Sequence, residues 1–211
     1  ARKEITRELV RLFASLNKQT VAKGFRYLIV SPLECRKRFY RMVNREIRIS
    51  KSGKAAYMII KVNSLADEGI VAKLYEASNA GVKIKLIVRG ICCLVPGMKG
   101  FSENITVISI IDKFLEHARV YIFGNDGHEE MFLSSADLMT RNIDHRVEVG
   151  FPVLDEEVRH EIREIIEFQL QDNVKARDVN KLNNNRYHKN RLSMKVRAQV
   201  QTYNYLKNKH Q

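Results

Sequence analysis

The segment FLEHARVYIF, Phe114 to Phe123, sets a histidine and an arginine two positions apart at the head of an apolar run. Side chains alternate faces along an extended strand, so His117, Arg119, Tyr121 and Phe123 share one side and Ala118, Val120 and Ile122 the other. A buried strand gains nothing from two such polar groups, so their face needs another purpose. An imidazole nitrogen can attack phosphorus or protonate a departing phosphate oxygen, while guanidinium groups neutralise the equatorial oxygens of a phosphoryl group in transfer. Arg89, which follows KIKLIV and precedes Gly90, is placed to meet a phosphate with two parallel hydrogen bonds, and Arg146 heads a further apolar segment. The competing reading is a core histidine with surface arginines around it. Residue types and spacing alone leave both open.

The elements that must position these groups are legible around them. AAYMIIKV reads as a buried strand, Ser64 with Asp67 and Glu68 opens a helix running through Ala80, Gly81 closes it, and VKIKLIV is the next strand. Strand, helix and strand at this length predict a βαβ unit with parallel strands and a right-handed crossover. Ligands of such sheets collect at the carboxyl ends of the strands, which here carry Lys61, Asn63 and Arg89. A long loop over 91–104, a strand at ITVISI and a short turn or helix at IDKFLEH lead into a hairpin around GNDG. A hairpin centred near Gly127 predicts Tyr121 opposite Leu133, Arg119 opposite Ser135 and His117 opposite Asp137. A slip of one residue would reverse the second strand's faces. Helices are expected over Glu4 to Leu16, with Ile5, Leu9, Leu12 and Phe13 on one stripe, over Leu33 to Ile49, over Asp155 to Asp172, and over Ser193 to Asn208.

The chain has 211 residues, 45% of them hydrophobic, enough for one large domain with its own core. Its apolar runs are too short for a membrane span, and neither a G-x-x-x-x-G-K-[ST] loop nor a G-x-G-x-x-G fingerprint is present. Lys plus Arg number 37 against 24 Asp plus Glu, a formal charge of +13, and residues 174–211 hold ten of the basic residues against one acid, Asp178. Such an excess suits a polyanion, whether nucleic acid, an anionic membrane or a phosphate polymer, although a solvated basic tail would read the same way. Cys35, Cys92 and Cys93 form no C-x-x-C pair and read as small buried hydrophobes of a reducing compartment, not as zinc ligands. With no signal peptide and a charged, helix-like start at Ala1, the chain is expected to be a piece of something longer.

Read in order, IKVNSL, AGVKIKLIVRGICCL, SENI, ISIIDKFLEHARVYIF, LSSADLMTRNIDHRVEV and VKAR resemble the carboxy-terminal part of type 1 polyphosphate kinases, over nearly the whole chain. The resemblance implies an α/β fold of the phospholipase D-like kind, a mixed sheet flanked by helices that forms the second half of a two-half site. It divides the chain into a helical lead-in over 1–50 that joins an upstream domain, a core over 51–173, and a basic extension with a terminal helix over 174–211. HAR then stands where phospholipases carry His-x-Lys, and SSAD in the place of their polar turn. Arg119 in place of Lys argues against lipid hydrolysis.

The implied activity is reversible transfer of the terminal phosphate of ATP to inorganic polyphosphate with Mg²⁺, ADP being the other nucleotide. The histidine that becomes phosphorylated precedes this segment. His117 matches a second histidine implied to contact nucleotide phosphate and to act as acid or base, Arg89 and Arg146 match phosphate-binding arginines, and Arg119 lies beside them. Lys61, Asn63, Arg141, Arg177 and Arg197 are candidates for a polyphosphate path. No metal ligand is carried over, since the residues linked to Mg²⁺ also precede this chain. The expected partners are the upstream half of the same parent chain and further copies of it, not nucleic acid. The expected location is the cytoplasm, including the inner membrane surface. The alternatives are a phospholipase D-like phosphodiesterase and a noncatalytic polyanion-binding module.

Overall fold

A computed structural model describes residues 2–17, 24–189 and 194–209. Hydrophobic runs become strands where apolar residues are continuous or alternate, and helices where they recur every three or four positions. In chain order the elements are helix α1 (Lys3–Asn17), strand β1 (Ile29–Ser31), helix α2 (Cys35–Lys51), strand β2 (Tyr57–Val62), helix α3 (Glu68–Asn79) and strands β3 (Lys83–Val88), β4 (Ile105–Ser109) and β5 (Arg119–Phe123). A 3-10 turn (Asn125–Gly127) leads to strand β6 (Glu130–Ser134), and a π turn (Arg141–His145) leads to strand β7 (Glu148–Pro152). Helix α4 (Glu156–Leu170), strand β8 (Arg177–Asp178) and helix α5 (Ala198–Lys209) follow.

Among the described residues the strands form one mixed sheet in the order β1-β7-β6-β5-β2-β3-β4-β8. The predicted βαβ unit is present: β2 and β3 pair in parallel, joined by α3, and β4 continues the parallel set. All the other pairs are antiparallel. Segment 24–50, expected as a lead-in, contributes β1 to this sheet beside β7 and α2 to its core. From the basic extension, β8 pairs with β4, and α5 packs on α4 with Phe168 and Tyr205 ring centroids 5.7 Å apart.

Both sheet faces are buried. One carries Met58, Ile60, Val62, Ile84 and Leu86 against α2 and α3; the other carries Ile59, Ile87, Val120 and Ile122 against Ile166 of α4. A buried face on each side explains the near-continuous apolar character of β2 and β3. Helix α3 is capped by Asp67, whose carboxylate accepts from the Ile70 amide at 2.9 Å, so Asp67 and not Ser64 begins it. Gly81 ends the turn after α3 at φ +93°, and a Cβ there would stand 2.9 Å from the Ser50 hydroxyl.

Three further expectations are corrected. The β5–β6 hairpin is one residue out of the predicted register: Tyr121 pairs with Phe132 and Arg119 with Ser134. Asn125, Asp126 and Gly127 all adopt positive φ, and the turn they build closes Phe123 against Glu130. This puts Phe132 on the core face of Tyr121, and burial of that pair selects the register. The α1 stripe is only partly buried, since Leu12 packs inward while Phe13 is 68% exposed. Cys35 is buried, but Cys93 is exposed.

IDKFLEH forms no helix and runs as irregular chain between β4 and β5. The terminal helix begins at Ala198; residues 190–193, including the expected start at Ser193, lie outside the described residues. No helix among the described residues is long and apolar enough to cross a membrane.

Candidate active site

The carboxyl ends of β2 and β3 meet the amino end of β5, because β5 runs antiparallel to β2 with Val120 opposite Lys61. At this junction Asp137 gathers the neighbouring polar groups. Its Oδ1 accepts from the Asn63 amide at 2.7 Å, from Asn63 Nδ2 at 3.3 Å and from the Ser64 amide at 3.2 Å. Arg119 donates to both its oxygens, Nε to Oδ1 at 3.3 Å and Nη2 to Oδ2 at 3.0 Å. Burial pushes the Asp137 carboxyl up, but the Arg119 guanidinium and the two backbone amides outweigh it and hold the group below the usual carboxylate range. Asp137 is therefore a fixed anion that orients its neighbours.

Two groups extend outward from that anion. Asn63 Oδ1 accepts from Arg89 Nε at 3.0 Å, which ties the arginine at the end of β3 to the end of β2. On the other side Arg119 Nη1 lies 3.0 Å from His117 Nδ1 and donates to the His117 carbonyl at 3.0 Å, while Nη2 lies 3.3 Å from Nε2. A neutral imidazole has one acceptor nitrogen, so at most one of the two ring contacts is a hydrogen bond. The ring itself is exposed. Arg89, Asn63, Asp137, Arg119 and His117 thus form one continuous chain, with a guanidinium at one end and an imidazole at the other.

The backbone beneath this chain is sutured. Leu138 N donates to the Ser64 carbonyl at 3.1 Å, Ala66 and Asp67 N donate to the Leu138 carbonyl, and Leu65 N donates to the Ile91 carbonyl at 2.8 Å. At Gly90 the chain passes so close to β2 that a Cβ would meet the Asn63 carbonyl oxygen at 3.0 Å. A second cluster braces the rim. Arg36 donates twice to Asp67 at 2.7 Å, and to Asp144 through Nε at 3.1 Å and Nη2 at 2.5 Å. Thr140 donates to Asp67 at 2.7 Å. The Arg36 hydrogen bonds draw the Asp67 carboxyl down to about 2. Through Asp144 the clamp grips the π turn.

The other sequence-predicted residues divide. Arg141 and Arg146 sit at the two ends of that π turn, both exposed, and the Arg146 side chain has no hydrogen bond or ion pair among the described residues. It is free to take a ligand but does not belong to the chain from Arg89 to His117. Lys61 is buried and held, donating to Glu116 at 2.6 Å and to Gln169 at 2.7 Å; burial pushes its ammonium down and Glu116 pulls the other way. Arg197 makes a two-pronged pair with Asp112 at 2.6 and 2.8 Å. The Arg177 guanidinium stacks 3.2 Å over the Tyr187 ring, beside a groove of about 280 Å³ shared with Lys175. Sequence reasoning missed Arg36, Asp144 and Glu116. For Glu116 there was a signal, an acid adjoining the histidine at the head of an apolar run; for the Arg36 clamp, whose partners lie 31 and 108 residues away, there was none.

Fold and site together define an α/β domain with an exposed histidine and fixed guanidinium groups at the ends of its central strands. Residues 28–199 match the family described as polyphosphate kinase C-terminal domain 2, and the chain belongs to that family. It is 50% identical over 208 residues, 99% of its length, to polyphosphate kinase of Vibrio parahaemolyticus. It is 45% identical over 96% of its length to that of Escherichia coli strain K12. It spans about 30% of the length of these curated relatives. The crystal structure of polyphosphate kinase from Porphyromonas gingivalis superposes with a TM-score of 0.94 at 44% identity, covering 99% of this chain and 32% of that one. Nuc from Salmonella typhimurium, a phospholipase D family member, superposes with a TM-score of 0.50 at 13% identity over 73% of this chain and 97% of its own, a likeness of fold alone.

Proposed function

We propose that this domain is the carboxy-terminal catalytic part of a polyphosphate kinase, moving the terminal phosphoryl group of ATP to and from an inorganic polyphosphate chain. The observation that carries this reading is the unbroken run of contacts from Arg89 through Asn63, Asp137 and Arg119 to His117 at the carboxyl ends of parallel strands. In this reading Arg89 neutralises phosphate oxygens, Arg119 holds the imidazole, and His117 transfers a proton at the phosphate being attacked or released. Arg146 and Arg141, whose side chains have no hydrogen bond or ion pair among the described residues, supply further positive charge to the same phosphates. Among the described residues no group of three or more His, Cys, Asp or Glu side chains stands where it could hold a metal ion.

Polyphosphate itself would run over the basic surface of the carboxy-terminal segment, where Arg177 and Lys175 line one groove. Arg197 and Lys61 are engaged by Asp112 and Glu116, and their part is better assigned to structure. The chain's share of its relatives' length supports a site completed by residues outside it. The test is polymer synthesis from labelled ATP by the full-length enzyme carrying His117→Ala. Loss of a general acid or base lowers turnover by about 10² to 10⁴-fold; unchanged synthesis would remove His117 from the mechanism.

A further inference from the structure

Between β4 and β5 the chain over 111–118 carries His117 without joining the sheet. Alternate residues of this strap are tethered by polar side chains. Asp112 accepts from Arg197 Nε at 2.8 Å and Nη2 at 2.6 Å. The Phe114 amide donates to Gln199 Oε1 at 3.0 Å, and its carbonyl accepts from Gln199 Nε2 at 2.8 Å, so one side-chain amide serves the strap as a partner strand would. Glu116 accepts from Lys61 Nζ at 2.6 Å, Gln169 Nε2 at 2.7 Å and Gln199 Nε2 at 3.1 Å. The residues in between, Ile111, Lys113, Leu115 and His117, are exposed.

Apolar packing does not locate the strap. Two grooves of about 290 and 300 Å³ flank it, and both are lined by Glu116, Gln169 and Ile165. The tethers are themselves held. Fully buried Asp172, just after α4, accepts from the amides of Val174, Lys175 and Ala176 through one oxygen and from the Ala198 amide at 2.7 Å through the other. The start of α5, and with it Arg197 and Gln199, is thereby fixed to the end of α4.

We propose that Gln199 and Glu116 are positioning residues for His117: the start of the carboxy-terminal helix, locked by Asp172, sets where the strap lies and so where the imidazole stands. This rests on the reading of His117 as the reacting histidine. It gives the carboxy-terminal segment a part in catalysis that does not depend on its charge. The side chain of Gln199 both donates and accepts, which makes an isosteric test available. Gln199→Glu keeps volume and the acceptor but removes the donor and sets a carboxylate against the Phe114 carbonyl and the Glu116 carboxylate.

The experiment measures polyphosphate synthesis by full-length enzyme carrying Gln199→Glu, Gln199→Ala, Asp112→Asn or His117→Ala, with thermal melts alongside. Misplacing a catalytic group by about 1 Å can cost on the order of 10²-fold in rate. The expected result is a fall in kcat of about tenfold or more for both Gln199 variants, a smaller fall for Asp112→Asn, and a KM for ATP unchanged within about twofold. Unchanged kcat in folded Gln199 and Asp112 variants, with His117→Ala inactive, would overturn the positioning role and leave the reading of His117 intact. Should Gln199→Glu fail to fold, Asp112→Asn, which keeps one hydrogen bond to Arg197, reads the same effect at a different tether. Full activity of His117→Ala would overturn both.

Discussion

At the scale of single residues, one buried carboxylate does most of the organising. Asp137 holds Arg119 and Asn63 at once, so neutralising it loosens the anchorage of both Arg89 and His117. Asp137→Asn is expected to lower stability by about 1–3 kcal/mol, the usual consequence of weakening a charge-assisted buried hydrogen-bond set, read from denaturant midpoints. It should also raise the KM for ATP. Asp67 gives a pH signature. Its carboxyl is drawn to about 2 in the folded chain by Arg36, against about 3.9 when unfolded. The stability it contributes, about 2 kcal/mol, is therefore full above pH ~4 and is lost as the pH falls through the folded value near 2. Asp67→Asn should flatten the stability profile of the domain between pH 4 and 2, measured by urea titrations across that range.

At the scale of elements, the turns and clamps decide where functional groups stand. Gly81 shows the constraint of a positive φ: with a Cβ it would be strained and would crowd Ser50. Gly81→Ala should cost about 1–2 kcal/mol in denaturant unfolding without changing the substrate dependence of the enzyme. The Arg36 clamp joins α2, the start of α3 and the π turn through two carboxylates. Arg36→Lys keeps the charge but cannot form both two-pronged pairs, so the π turn bearing Arg141 and Arg146 should loosen. Faster hydrogen exchange at the Asn142 and Ile143 amides, which donate to the Met139 carbonyl just before the turn, and at the Arg146 amide, which donates to the Arg141 carbonyl, would report it.

At the scale of the whole molecule, the basic excess carried by residues 174–211 is only partly available. Arg197 and Lys209 are paired with Asp112 and Glu161, acids outside that segment, so its basic excess is smaller at its surface than its composition suggests. Binding of inorganic polyphosphate to the domain should still weaken steeply with salt, since displaced counterions drive it. Replacing Lys175 and Arg177 together should make the slope of log affinity against log salt shallower by about one to two, as read by titrations at several salt concentrations.

The βαβ unit was legible in the sequence, because continuous apolar runs separated by a helix that opens between Ser64 and Glu68 and closes at Gly81 admit few other folds; that Asp67 is the residue that caps it was decided by the structure. The sequence also singled out His117, Arg119, Arg89 and Asn63, since polar groups leaving buried strands stand out against their surroundings. The register of β5 with β6 was decided only in three dimensions, by burial of Phe132 beside Tyr121. The same holds for the fates of Lys61 and Arg197: a basic side chain reads alike whether it faces solvent or a carboxylate, and the acids that claim these two lie 55 and 85 residues away. Local pattern reports propensity and burial, whereas the pairing of charges between distant segments exists only once the sheet has brought them together.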